Sequence, residues 1–252
     1  MTEVLYTIPS TRRPGNVPRM MEYTEDWLWV VRDERDEEDY TAAGAGKVVV
    51  QVGEGLPAAR NTALAYADDI GAFCLQVDDD LRGLYRATGN RTADREPMDI
   101  DAAVNEIVYY MGEVGTWMGG ACSTSNPFFS RPRIHTWAFI CAQFVIVDPS
   151  AEQFWHPKID FKDDWELTCR ALTTAGAVAR VDWILPDASH TGAGGLNQHR
   201  DIHKDIAGAK AVRRAYPSIV TFHKKRVGEL QMIHNVTNMP RHAKEIYNKV
   251  NM

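Results

Sequence analysis

The stretch GLPAARNTALAYADDIGAFCLQVDDDL, residues 55 to 81, decides how this chain reads. Its first half sets Leu56, Ala59, Ala63, Leu64 and Ala67 at helical spacing, and Gly71 closes the pattern. Its second half, AFCLQV (72–77), is short, apolar and bounded by glycine and charge, as a buried strand is. With KVVVQV (47–52) ahead of it, strand, helix and strand make a βαβ unit, which implies parallel pairing. The strand then runs into Asp78, Asp79 and Asp80, and adjacent carboxylates repel one another wherever water is partly excluded. Positive charge is expected beside them.

Outward from this unit the pattern repeats. VLYTIP (4–9) and WLWVV (27–31) read as strands, and RGLYRATGNRTADREPMD (82–99), polar and glycine-bearing, as a surface loop over a site. Asp99 or Asp101 is placed to cap a helix that ends near Gly115. TWAFICAQFVIVD (136–148) is continuous and apolar, a buried strand or a bent pair. A second helix is expected from about Asp163 to Gly176, after which AVARVDWIL (177–185) resumes the sheet. DASHTGAGGLNQHRD (187–201) reads as a loop, followed by a basic helix over 204–216, with His203 exposed, and a strand near SIVTFHKK (218–225). The class is α/β with a mixed sheet.

A chain of 252 residues suits one large domain with a substantial core. Its formal charge of −6 argues against a protein coated in nucleic acid, but the charge is uneven. Acids crowd 22–40, whereas 199–249 holds eleven Lys and Arg against four acids. Cys74, Cys122, Cys141 and Cys169 are widely spaced, without the CxxC pairs of a zinc site or redox dithiol. With no leader pattern and no apolar run of membrane-spanning length, the expected location is a reducing cytoplasm, with no membrane partner.

In open α/β sheets ligands bind beyond the carboxyl ends of the strands, where the three aspartates stand. Strand alternation puts Asp78 and Asp80 on one side and Asp79 on the other. Two hard oxygen donors on one face suit Mg²⁺ or Mn²⁺. The plainer alternative is a solvated turn whose acids cap the next helix.

The quoted stretch resembles that of family 2 and related GT-A glycosyltransferases, in which an Ala-Arg-Asn helix leads to a strand ending in Asp-x-Asp. FKDDWELTCRALTTAG (161–176) is similar to the acidic pair, Trp, Leu and downstream Arg that open a helix in the same enzymes. The resemblance covers about residues 3 to 195. It implies a GT-A fold, a mixed and mostly parallel sheet flanked by helices, with a core over 1–198 and a basic extension over 199–252 packed on it. It further implies a nucleotide-sugar donor, most simply UDP-linked, and a divalent metal, Mn or Mg, on Asp78 and Asp80 with His190, or His199, as a third ligand. Asp164, with Asp163 beside it, takes the place of the base in an inverting transfer. Pro9, Ser10, Arg12 and Arg13 in IPSTRRP (8–14), with Arg60, Asn61, Asp78 and Asp79, fall on the donor side.

PSTRRP, LPAARNTAL, LQVDDDL and SHTGAGGLNQHRD together look most like the TET-associated glycosyltransferases, frequent in bacteriophages. That likeness implies an acceptor hydroxyl on hydroxymethylated pyrimidines in DNA, in the host cytoplasm if the chain is phage-encoded. An acceptor pocket is then expected in GTWMGGACSTSNPFF (115–129). There Trp117, Phe128 and Phe129 would stack and Gly119 and Gly120 allow close approach, together with Gly194 and Gly195. Arg213, Arg214, Lys224, Lys225 and Arg226 would meet phosphates. The competing readings are transfer to a protein, glycan or small molecule, nucleotidyl transfer, and a degenerate GT-A domain kept for binding.

Overall fold

A computed structural model describes residues 3–130, 133–159, 161–188, 202–233 and 245. The amino-terminal half runs β1 (Val4–Pro9), α1 (Val17–Met20), β2 (Leu28–Val31), α2 (Glu34–Ala42), β3 (Lys47–Val50), α3 (Gly55–Asp69) and β4 (Phe73–Val77). Next come β5 (Leu81–Ala87), β6 (Arg95–Pro97), α4 (Ile100–Val114), β7 (Met118–Ala121), β8 (Ile134–His135) and β9 (Phe144–Val147). The chain continues through α5 (Asp163–Thr174), β10 (Ala179–Val181), β11 (Ile184–Ala188), α6 (Ile202–Ala215), β12 (Val220–Phe222) and β13 (Leu230–Met232).

Eight strands form the central sheet in the order β3-β2-β1-β4-β9-β7-β10-β8. β3, β2, β1 and β4 are parallel. β9 runs against both β4 and β7, so β7 and its parallel neighbour β10 point the same way as β4. The carboxyl ends of six strands therefore share one edge of the molecule. On one face of the sheet Ala59, Ala63 and Leu64 of α3 and Leu167 and Leu172 of α5 close a core. On the other face Ile100, Ile107 and Met111 of α4 pack with Trp27, Trp29 and Tyr40.

Local chemistry sets the helix ends. The Asp99 carboxylate accepts from Ala102 N at 3.0 Å at the start of α4, and Gly115, at φ +73°, ends it in the left-handed region that glycine tolerates. Asp163, Asp164 and Glu166 sit in the first turn of α5, where the helix dipole favours negative charge. α6 and the β12–β13 hairpin extend the first core through Ala209, Val212, Val220, Leu230 and Met232. Lys162 pairs with Asp205 at 3.0 Å, and Tyr216 donates to Glu166 at 2.9 Å, tying this segment to α5.

Two expectations fail. Residues 82–99 are no loop: β5 and β6 form a hairpin, and β5 pairs antiparallel with β11. The partner strand lies a hundred residues downstream, beyond the reach of local pattern. Of the apolar run 136–148 only β9 is strand. The rest is a buried irregular wall whose carbonyls are held by side chains, Ala142 O by Arg60, Phe139 O by Arg180 and Ile140 O by Thr168.

Candidate active site

β4 stops at Val77, and the chain turns at once: Asp78 N donates to Gln143 O at 3.2 Å and Leu81 N to Asp78 O at 3.4 Å. The turn separates the three carboxylates. Asp78 faces α3, where Arg60 Nη2 donates to its Oδ1 at 3.2 Å. Asp79, 5% exposed, swings under the β1 loop, accepting from Ser10 Oγ and from Arg13 Nη1 at 2.8 Å, while its carbonyl takes Arg19 Nη2 at 3.1 Å. Asp80 Oδ2 lies 4.0 Å from the same Arg13 nitrogen. Simple strand alternation is thus corrected, because the strand ends before the aspartates begin. The positive charge expected beside them comes from three arginines.

Arg60 is the centre of the arrangement. Buried at 3% exposure, it also donates to Ala142 O at 3.3 Å, lies 3.8 Å from Asp163 Oδ2 and stacks 4.4 Å over the Trp155 ring. A guanidinium sealed in this way joins the end of β4 to the start of α5. Asn61, expected on the donor side, clamps the Trp155 backbone. Its Nδ2 donates to Trp155 O at 3.0 Å and its Oδ1 accepts Trp155 N at 2.7 Å.

Charge crowding shows in the carboxyl groups. Burial, then Asp80, Asp79 and Asp163, push Asp78 up to about 7 against the pull of Arg60. Solvent over the 43% of its side chain that stays exposed works against that shift. Asp164 is also raised, first by burial and then by the Asp163 charge, while its Oδ1 accepts the Trp165 N–H at 2.8 Å. A carboxylate raised towards neutrality at a strand-end edge is suited to taking a proton.

At the end of β1, Pro9 is buried, and Ser10 Oγ bonds both Asp79 and the Tyr40 hydroxyl, which also accepts Arg13 N at 3.0 Å. Burial pushes Tyr40 up to about 12, so it stays a neutral hydroxyl. Arg12, at φ +57°, points to α2, donating to the N-cap Asp33 at 2.7 Å and lying 3.5 Å from buried Asp36. Sequence reasoning counted Asp33, Asp36 and Tyr40 only as part of an acidic run. The helix-start pattern at Asp33, whose carboxylate accepts Asp36 N at 3.0 Å, is the signal in the sequence that would have set them at the start of α2.

The acceptor expectations divide. Gly119 and Gly120 lie inside β7, where a Cβ would meet Met111 Cγ at 2.6 Å and Ile140 Cγ2 at 2.5 Å respectively, so they serve packing. Trp117 precedes β7, and through the register Met118↔Val147↔Cys74 it stands at the amino end of the sheet, with its indole donating to Thr174 Oγ1 at 3.0 Å. These contacts give all three a part in packing the sheet. Phe128 and Phe129 are exposed on the loop that leaves the carboxyl end of β7. His190, Gly194, Gly195 and His199 lie outside the described residues; His203 is exposed on α6. Among the described residues no three His, Cys, Asp or Glu side chains group as metal ligands. Asp78 and Asp80 offer hard oxygens of the kind Mg²⁺ or Mn²⁺ takes, but only two side chains.

A further cluster went unread in the sequence. Asp182, 2% exposed, ends β10 and accepts from Arg180 Nε at 2.6 Å and Nη2 at 3.2 Å, with His135 Nε2 at 2.9 Å. Burial alone would raise its carboxyl, but the hydrogen bonds from His135 and Arg180 hold it below the usual range. Arg180 Nη1 also holds Phe139 O at 2.9 Å, and Phe139 stacks on Trp165 at 4.2 Å, next to Asp164.

No protein-family model matches the chain, and no curated protein sequence matches it. Among solved structures, TarS residues 1–349 from S. aureus in complex with UDP-GlcNAc superposes with a TM-score of 0.53 at 11% identity, over 98% of this chain and 72% of that one. The chain resembles TarS in fold. Its architecture is GT-A-like. Two further TarS structures, one with UDP, align more loosely, at TM-scores of 0.47 and 0.46 and 12% identity over 85% of this chain and 72% of theirs.

Proposed function

We propose that the protein is a nucleotide-sugar-dependent glycosyltransferase. The observation that carries this reading is that one buried guanidinium, Arg60, contacts Asp78 and Asp163, whose chain neighbours are Asp80 and Asp164, at the carboxyl edge of a GT-A-like sheet. The donor nucleotide would lie over the end of β1, against Pro9, Ser10, Arg12, Arg13 and Asp33, and the UDP-GlcNAc named with TarS makes a UDP-sugar the first donor to try. A divalent cation held by Asp78 and Asp80 would supply Lewis-acid neutralisation of the departing diphosphate.

The chain's own groups carry the rest. The acceptor oxygen attacks the anomeric carbon, its proton passes to Asp164, and the bond to the diphosphate oxygen breaks with its electron pair leaving on the nucleoside diphosphate. Asp163 keeps Asp164 basic by its charge, and Arg60 keeps Asp163 and Asp78 in place. Attack opposite the leaving group inverts the configuration. The acceptor we favour is the hydroxyl of a hydroxymethylated pyrimidine in DNA. In support, Lys204, Lys210, Arg214, Lys224 and Lys225 are exposed, with no acid partner among the described residues.

The test is turnover of UDP-, GDP- and TDP-sugars with Mn²⁺, with plain and hydroxymethylated DNA as acceptors, in wild type and Asp164→Asn. Transfer confined to the modified DNA and lost in the variant is the expected result. Donor turnover indifferent to DNA would remove the DNA acceptor and leave the glycosyltransferase, whereas no turnover of any donor would sink the reading.

A further inference from the structure

Gln143 is 3% exposed, and its side-chain Oε1 is sealed from water with no hydrogen-bond partner among the described residues. A buried amide oxygen left unpaired weighs against folding, so its place needs a reason. The β4–β9 ladder pairs Gln76 with Val145 and Val77 with Phe144, and Asp78 N, donating to Gln143 O at 3.2 Å, carries it one step further. Gln143 therefore stands opposite Asp78. Residues opposed across an antiparallel pair share a face, with Cβ atoms about 5 Å apart. That face is the one on which Asp78 meets Arg60, where Cys74 and Val145 belong to the core under α3.

Its chain neighbours place the carboxamide more closely. Ala142 O accepts from Arg60 Nη1 at 3.3 Å, and the same guanidinium lies 3.8 Å from Asp163 Oδ2. The Cys141 thiol is pushed up by burial first, then by the charge of Asp164 and that of Asp78. The segment 141–143 thus runs between the two carboxylates. The edge is open here, because 43% of the Asp78 side chain is exposed, and the terminal torsion of a glutamine is soft enough to turn Oε1 towards that opening. Gln76, on the same face with an orphaned Oε1 of its own, differs: it lies one step deeper, and its Nε2 is pinned to Arg60 O at 2.9 Å.

An uncharged carboxamide offers one donor edge and one acceptor edge in a single plane. A phosphate would use only the donor edge and a cation only the oxygen, whereas a hydroxyl gives one hydrogen bond and takes another. Between a diphosphate at Asp78 and a base at Asp164 lies the sugar being moved. We propose that Gln143 is a specificity-determining residue of the donor site, its carboxamide holding a ring hydroxyl of the transferred sugar. The proposal rests on the glycosyltransferase reading, and adds to it the residue that tells a nucleotide sugar from the bare nucleotide.

The test compares the full chain with Gln143→Met, a swap of similar volume, by urea unfolding without ligand and by calorimetric titration. The titrants are Mn²⁺ and, in its presence, UDP-, GDP- and TDP-sugars, each beside its own nucleoside diphosphate. Gln143→Met should unfold at the same or a higher urea concentration than wild type, because an unpaired buried oxygen is gone. It should bind the nucleotide sugar about tenfold more weakly, with Mn²⁺ and the bare nucleoside diphosphate bound as before. A less stable variant would mean that Oε1 is satisfied from inside, by a trapped water, and would overturn the proposal. So would unchanged affinity for the sugar, an equal loss for sugar and bare nucleotide, or weakened Mn²⁺ binding, all of which leave the glycosyltransferase standing. A wild type that binds no nucleotide sugar would overturn both readings together.

Discussion

Arg60 Nη2 lies 3.2 Å from Asp78 Oδ1, and Nε of the same guanidinium lies 3.8 Å from Asp163 Oδ2. One buried cation thus serves two carboxylates from distant parts of the chain. Arg60→Met should destabilise the fold by about 1–3 kcal/mol at pH 8, less than for a wholly buried pair because Asp78 is partly exposed. Arg60→Lys should recover part of that, since it keeps charge but loses the planar fork and the stack on Trp155. Urea unfolding of the three proteins at pH 8 checks both; equal stability of Arg60→Met and wild type would remove Arg60 from the centre of the site.

Asp78 gives the pH dependence a sign opposite to that of most carboxylates. Its folded value is pushed up to about 7 from an ordinary 3.8, so between those values the folded state binds the extra proton. Stability on its account is greatest at acid pH and declines as pH rises from about 4 to 7. Asp78→Asn, measured in EDTA, should be more stable than wild type by about 1–2 kcal/mol at pH 8, allowing for the exposed part of the side chain, and indistinguishable from it near pH 4. A gap that widens on acidification would contradict the shift.

Arg13 and Asp79 form the second buried pair, at 2.8 Å with side chains 13% and 7% exposed. Asp79 also accepts from Ser10, and Asp80 lies 4.0 Å from Arg13, so Arg13→Met and Asp79→Asn should each cost about 1–3 kcal/mol, less than for an isolated buried pair. The double variant should cost less than the sum, and a double-mutant cycle in urea reads the coupling directly. Additive losses would mean that the pair is incidental to how the β1 loop is held.

Much of this was legible in the chain itself. VLYTIP became β1 end to end, Asp99 and Gly115 bounded α4 as their capping chemistry required, and the helix of the quoted stretch was displaced by only a residue or two. These signals are local, a spacing or a cap read from a few neighbours. What escaped is tertiary. The β5–β6 hairpin exists because β11 returns to pair with it, and the wall over 136–143 is irregular because Arg60, Arg180 and Thr168 satisfy its carbonyls in place of a neighbouring strand. At the site the sequence indicated that Asp78 to Asp80 need positive charge, but not that Arg13, Arg19 and Arg60 bring it, because those arginines converge only in the fold.

Gly119 and Gly120 test the revision of the acceptor side. Gly120→Ala puts a methyl 2.5 Å from Ile140 Cγ2 and 3.0 Å from the Phe144 carbonyl, which is backbone and cannot step aside. Overpacking of this kind costs about 1–3 kcal/mol. Gly119→Ala, against the more pliant Met111 and Ile107 side chains, should cost less. Thermal unfolding ranks the two, and acceptor affinity should follow neither; a stable Gly120→Ala with selectively weakened acceptor binding would restore the glycine to the pocket.

Asp164 makes the sharpest claim on mechanism. As the proposed proton acceptor it must be ionised, and since burial and Asp163 hold it above the usual carboxylate range, kcat/KM should climb with pH through that raised value and then level off. Asp164→Asn should lower kcat by about 10²–10⁴-fold with donor affinity retained. Asp163→Asn removes the neighbouring charge, so the ascending limb should move to lower pH while part of the rate survives. That displacement is what a base tuned by its neighbour produces, and a purely structural Asp163 would scale the whole profile down without moving it. A limb that stays in place in Asp163→Asn, or a profile in Asp164→Asn that keeps the wild-type limb, would assign the proton to another group.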